Sequence, residues 1–156
     1  MKGKKSGDIK AVETTNKGRE GQLMVYAWDT DASIPVDSLS GLTTGRRKHV
    51  PVTLVIRMDS SYPLLFNAFA TNEILTGVKI NVWQPSASSV GQATELTMVV
   101  SLTNAQITRI THIDSFNEAR CPGSQHCVRL SLIFQKIEYA WTKGGIVAVD
   151  DWAAAF

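Results

Sequence analysis

The sequence predicts a mainly β protein, a β-barrel or two-sheet sandwich with one principal α-helix. Two observations lead to this prediction. Apolar and polar residues alternate along several segments, which is the period of a strand with one buried face. Only the segment at about residues 61–72 has the spacing of apolar residues that an amphipathic helix requires.

The N-terminal part of the chain predicts a weak strand, a stronger strand and a long loop. Residues up to Arg19 are mostly polar, and they predict only one weak strand around residues 8–13. Residues 23–28 carry apolar or aromatic side chains on both faces, which predicts a strand covered on both sides. Residues 29–49 predict a long extended loop, and loops of this length in a compact domain are often functional.

A strand and the helix are predicted after this loop. Residues 52–58 alternate in the manner of a strand. The residues Asp59-Ser60-Ser61 offer oxygens that can cap a helix, and Pro63 suits its first turn. The apolar stripe that this helix would bury consists of Leu64, Leu65, Ala68 and Phe69.

The rest of the chain predicts strands and turns. A Ser- and Gly-rich turn is predicted at residues 85–92. In the run that begins at Val128, the apolar residues change parity near Phe134, which predicts a bulge or bend. Gly144 and Gly145 predict a turn before the last short strand. The other alternating runs are 78–83, 96–102, 107–112 and 146–149.

Composition points to a globular protein and argues against several function classes. A chain of 156 residues can bury a core, and 44% hydrophobic and 19% charged residues are ordinary for a soluble domain. Its longest apolar runs are far shorter than the roughly 20 residues of a membrane-spanning helix. The basic N-terminus lacks the apolar stretch of a secretory signal, so we expect synthesis in the cytoplasm without a signal peptide. A net charge of +2 is weak for a nucleic-acid-binding protein.

Cys121 and Cys127 leave three alternatives open. They can close a hairpin disulfide, remain free thiols, or bind a metal together with His112 and His126. Their C-x5-C spacing is looser than the close pairs typical of zinc sites, so we predict no metal site. We expect reduced thiols in the cytoplasm, and a short closed loop under oxidising conditions.

The most concentrated charge lies in the glycine-bracketed part of the long loop. Arg46, Arg47, Lys48 and His49 are consecutive. They could contact a neighbouring subunit, bind nucleic acid or simply be solvated. No aromatic residue is interleaved with them, which argues against a nucleic-acid surface.

Other chemically suggestive residues have simpler explanations. Asp150 and Asp151 could act as a carboxylate pair, but adjacent aspartates on a tail are usually solvated. Ser60 and Ser61 lack the context of a catalytic serine and fit a helix cap. We therefore predict no catalytic residue and no cofactor. Four tryptophans could line a sugar-binding face, although they more often fill cores and interfaces, and these are Trp28, Trp83, Trp141 and Trp152.

Three segments, taken in order, resemble one known protein family. Residues 40–51 contain Gly45-Arg46-Arg47-Lys48-His49-Val50-Pro51, which is similar to a glycine-arginine-x-x-histidine-x-proline loop. Residues 59–68 are similar to the family's strand-to-helix junction, and residues 134–141 with 150–152 to its closing strand and tail. The family is that of the haemolysin-coregulated proteins (Hcp), the tube subunits of the bacterial type VI secretion system.

The resemblance implies a structural function and no enzyme activity. It implies one Hcp-like domain over residues 1–156 without a C-terminal effector extension, which forms homo-hexameric rings that stack into a tube. The implied partners are a spike protein, a contractile sheath and small effector proteins in the channel, with secretion through the same apparatus. The implied subunit- and ring-contact loop comprises Leu42, Thr43, Thr44, Gly45, Arg46, Arg47, Lys48 and His49.

Two other functions remain compatible with the residues alone. One is a monomeric β-sandwich module that binds a carbohydrate or another ligand, and the other is an enzyme whose site is scattered over loops. A binding module should be monomeric with an aromatic-lined groove, whereas a tube subunit should form closed symmetric rings.

Overall fold

The computed structural model describes residues 1–14, 16–86, 94–113, 121 and 126–152. In these residues the protein is mainly β with one α-helix, which confirms the predicted fold class. In chain order the elements are β1 Lys2–Gly3, β2 Gly7–Asp8, β3 Val25–Asp29, β4 Ala32–Ser33, β5 Lys48–His49, β6 Val52–Arg57, α1 Tyr62–Ala70, β7 Ile74–Pro85, β8 Thr94–Ile113, β9 Cys127–Ile133, β10 Lys136–Trp141 and β11 Ile146–Asp151.

The chain divides into two compact units. The first unit contains the described residues of 1–9, 72–106 and 134–156, and the second contains those of 10–71 and 107–133. Strand β8 contributes residues to both. The single domain expected over residues 1–156 stays a prediction.

The first unit is an antiparallel sheet in the order β2–β1–β7–β8–β10–β11. Its core is built across the strands. Leu102 on β8 lies opposite Val78 on one side and Ile137 on the other, and all three side chains are buried. Such rows of apolar cross-strand neighbours stabilise a sheet.

The N-terminal segment differs from the predicted strand at residues 8–13, because it forms the hairpin β1–β2. Glu73 explains the difference. Its carboxylate accepts hydrogen bonds from the backbone N–H of Lys5 and, at 2.7 Å, that of Ser6, and also from the Ser6 hydroxyl. A Cβ atom at Gly3 would collide with this carboxylate and force it to shift, so glycine suits this position.

The second unit contains the strand order β9–β6–β3, with residues 107–113 of β8 beside β9. Strand β6 pairs with β9 on one edge and β3 on the other. Val55 of β6 packs in a buried cluster with Ile113, Cys121 and Cys127. Strand β3 begins at Val25, slightly later than predicted, and its described side chains are largely half-buried.

Helix α1 is confirmed, but it is shorter than the predicted residues 61–72. Pro63 lies in its first turn, as expected. Ser61 makes no side-chain cap, and instead its N–H and hydroxyl donate to the Asp59 carboxylate at 2.9 and 2.6 Å. Leu65 and Ala68 are buried, whereas Leu64 is 41% exposed, so only part of the predicted stripe faces the core.

The later strands follow the predicted pattern with one exception. The parity change near Phe134 corresponds to the break between β9 and β10. Gly144 and Gly145 have φ of +86° and +62°, which glycine adopts readily, and they turn the chain into β11. The predicted run at 107–112 is the end of the long strand β8, not a separate strand. Residues 87–92 of the predicted 85–92 turn lie outside the described residues.

Candidate subunit-contact surface

The long loop contains a two-stranded hairpin, which we call the arm (residues 31–50). In it β4 pairs with β5, and a β-bridge joins Val36 to Thr43. The Thr44 N–H donates to the Pro35 carbonyl at 2.9 Å. The predicted extended loop is therefore largely held by main-chain hydrogen bonds, so that it can present side chains in fixed positions.

Asp37 organises the tip of the arm. Its carboxylate accepts hydrogen bonds from the backbone N–H groups of Leu39 and Ser40, and from the Ser40 hydroxyl at 2.6 Å. These bonds, with the Ser40 hydroxyl contributing most, lower the pKa of Asp37 below its ordinary value. Gly41 follows with φ of +68° and donates its N–H to the Asp37 carbonyl. The tip is thus an ordered turn built on a charged carboxylate.

The arm exposes several large apolar side chains. Leu39 at the tip is 96% exposed and Leu42 is 69% exposed. Single exposed apolar residues are common, but a group of them on one hairpin is typical of a protein–protein contact. The complete group is Ile34, Val36, Leu39, Leu42 and Val50.

The predicted contact residues 42–49 all lie on the C-terminal limb of the arm. Arg46, Arg47 and Lys48 are exposed, and His49 is partly buried. Sequence reasoning identified this limb and missed the apolar residues of the other one. The available signal was the alternation of Ile34 and Val36 inside a segment that otherwise suggests a loop.

Strand β11 and its immediate neighbours carry further exposed apolar side chains on both faces of the sheet, and we call this region the edge surface. Among the described strands, β11 pairs only with β10, so its other edge is open. Open strand edges readily pair with another chain unless they are covered. Asp150 and Asp151 belong to this strand and are half-buried, so they are not on an exposed tail. The apolar residues of the edge surface are Trp141, Ile146, Val147, Val149 and Trp152.

The remaining candidate residues have structural partners. The Ser60 N–H and hydroxyl donate to the Glu13 carboxylate, at 3.1 and 2.8 Å. Cys121 and Cys127 are joined by a disulfide with their Cα atoms 6.1 Å apart, and both are buried. In the described part of the chain, no group of three or more potential metal ligands comes together.

Comparison with known families extends the sequence resemblance. The family model described as Type VI secretion system effector, Hcp, matches residues 4–141, which include the arm, the helix and both cysteines. The chain belongs to the Hcp family. The resemblance inferred from the three segments is confirmed. Among the described residues, no helix of this Hcp is long and apolar enough to cross a membrane.

Similar proteins support the same assignment. This Hcp is 32% identical over 142 residues to the major exported protein of Pseudomonas aeruginosa, covering 89% of this chain and 80% of the relative. It is 26% identical to an Hcp protein of known crystal structure with a TM-score of 0.85, covering 97% and 94% of the two chains. It is also 26% identical to the secreted protein Hcp3 from P. aeruginosa, with a TM-score of 0.77 and coverage of 96% and 94%.

Proposed function

We propose that this Hcp is a tube subunit of the type VI secretion system. Its chains assemble into homo-hexameric rings, the rings stack into a tube, and the channel carries small effector proteins. The family membership supports the secretion system, and the arm supports assembly. In this proposal the protein acts through its contact surfaces and not as an enzyme.

The observation that carries this proposal is the arm. A hairpin that exposes five large apolar side chains beside three consecutive cations has the composition of a contact surface. Apolar side chains supply the burial that stabilises a contact, and the cations supply orientation and partner choice. The main-chain hydrogen bonds of the arm reduce the conformational entropy that binding would otherwise cost.

Ring closure requires two different surfaces on each subunit, because head-to-tail contacts join unlike patches. The arm belongs to the second unit, and the edge surface belongs to the first. Both are apolar, so each can be buried against a neighbouring copy. In this proposal the arm contacts an adjacent subunit or the next ring, with Arg46, Arg47 and Lys48 in or beside that contact.

The proposal also covers partners and location. The subunit is cytoplasmic before assembly and is then exported through the type VI apparatus, alongside a spike protein at the tube tip and a surrounding contractile sheath. The relative named as a major exported protein supports export. The weak net charge of +2 favours stacking, since like rings repel each other little.

Charge reversal in the arm tests the proposal. Arg46→Glu, Arg47→Glu and Lys48→Glu combined should reduce ring closure or stacking while the chain stays folded, as measured by light scattering after size exclusion and by circular dichroism. The matched control is Lys4→Glu, Lys17→Glu and Lys79→Glu, which makes the same charge change at exposed cations outside the arm. Equal assembly of the two variants would contradict a contact role for the arm.

A further inference from the structure

Two histidines lie close together on neighbouring strands of the second unit. The imidazole centroids of His112 and His126 are 5.8 Å apart, and the ring planes are inclined by 52°. His112 lies near the end of β8, His126 immediately precedes β9, and both are exposed. Two imidazoles on one cation, at metal–nitrogen distances of about 2.0–2.1 Å, have centroids about 5 Å apart. Small side-chain rotations would therefore bring a nitrogen of each ring onto a shared cation.

The backbone beneath this histidine pair is fixed. Each histidine is followed directly by a member of one buried cluster, Ile113 after His112 and Cys127 after His126. The disulfide to Cys121 also holds Cys127, and the His126 carbonyl accepts a hydrogen bond from the Met58 N–H at 2.9 Å. A site on anchored strand ends needs little reorganisation to bind a ligand.

The available ligand atoms define the class of cation. The disulfide removes both thiolates, so of the four Cys and His side chains described here only the two imidazoles can act as ligands. Neutral imidazole suits divalent copper, nickel and zinc, and copper should bind most tightly in the general order for such sites. The Tyr62 ring also lies beside His112, with centroids 6.4 Å apart.

We propose that His112 and His126 together bind one divalent transition-metal cation, with water in its other positions. The sequence argued against a metal because the cysteine spacing was wrong for zinc. It did not show that residues 112 and 126 meet across adjacent strands, and this meeting carries the proposal.

Calorimetric titration of the full-length oxidised chain with ZnCl₂ and CuCl₂ tests the site. We expect one cation to bind per chain. His112→Asn or His126→Asn should each weaken cation binding about 100-fold, because either change removes one of the two imidazole ligands. His49→Asn is the matched control, since it removes the third histidine, which lies in the arm. The Cys121→Ser, Cys127→Ser double variant should still bind, because the thiols are not ligands.

Several outcomes would overturn the proposal. These are unchanged binding in His112→Asn or His126→Asn, an equal loss in His49→Asn, or a loss confined to the cysteine variant. Electron paramagnetic resonance of the Cu²⁺-loaded wild type gives a readout that does not depend on any variant's folding. Coupling to two imidazole nitrogens supports the site, and coupling to fewer than two contradicts it.

Discussion

Glu73 and Asp37 are single carboxylates that each organise a turn. Each accepts hydrogen bonds from a serine hydroxyl and from two backbone N–H groups. Each has a pKa below its ordinary value, and in both cases the serine hydroxyl is the largest cause. The ionised form is therefore favoured by the folded turn. Replacing either carboxylate should affect the turn as a whole, and Glu73 is the clearer case because its side chain is buried.

Glu73→Ala should lower the free energy of unfolding by about 2 kcal/mol or more, because it leaves the N–H groups of Lys5 and Ser6 without their acceptor. Chemical denaturation measures the loss. Glu20→Ala is the control, since the carboxylate of this exposed glutamate bonds only to nearby backbone, that of Gly18 and of Glu20 itself, among the contacts described. An equally small effect in both variants would show that Glu73 does not hold the N-terminal hairpin.

Acid should remove the same stabilisation. The folded-state pKa of Glu73 lies below the ordinary value of 4.5, so its contribution is fully present above pH 4.5. The contribution is lost as the pH falls from there through the folded-state pKa. Unfolding measured at pH 7 and at pH 3 should therefore show a larger acid loss for the wild type than for Glu73→Gln. A larger acid loss for Glu73→Gln than for the wild type would contradict the stabilising role of the ionised Glu73 carboxylate.

Individual elements differ in how far the sequence predicts them. Helix α1 and the hairpin β10–β11 were predictable, because a 3.6-residue stripe and a Gly-Gly turn are local signals. The hairpin β1–β2 was not, because it depends on Glu73, which lies 67 residues after Ser6. The paired arm was also missed, since its strands β4 and β5 contain two residues each and show no alternation.

The buried face of α1 can be tested by truncation. Leu65 is fully buried, so Leu65→Ala should lower the free energy of unfolding by about 2–5 kcal/mol. Phe66→Ala is the neighbouring control, because Phe66 is 51% exposed and should lose less on truncation than the fully buried Leu65. Denaturant titration of both variants measures the difference. Greater damage from Phe66→Ala would mean that the helix is rotated from the face described here.

Reducing the disulfide should weaken the second unit. Opening the short Cys121–Cys127 loop should lower the free energy of unfolding by about 2 kcal/mol in the chain-entropy model. Unfolding of the wild type with and without a reductant measures this change. The Cys121→Ser, Cys127→Ser variant should not respond to the reductant. A wild type that is equally insensitive would show that the bond does not contribute to stability.

At the scale of the whole molecule, the proposed function depends on exposed contact surfaces rather than on a catalytic site. The resemblance to the family led to the prediction of a contact over residues 42–49, which includes Leu42, but the sequence did not point to the exposed apolar residues Ile34, Val36, Leu39 and Val50. The alternation of Ile34 and Val36 is a short signal and Leu39 stands alone between serines, so only the pairing of the arm shows that these residues belong to one hairpin. The edge surface was missed for a related reason. Alternation predicts that β11 is a strand, but it does not say whether a neighbouring strand covers it.

The central claim is that the chain closes into rings of six, and native mass spectrometry of the wild-type protein tests it most directly. The account predicts a dominant species at six times the chain mass of 17.1 kDa, with further multiples of six as rings stack. Negative-stain electron microscopy of the same sample should show closed rings with a central channel. A protein that remains monomeric at high concentration in low salt, with no rings in the micrographs, would contradict the tube-subunit account and favour a monomeric binding module.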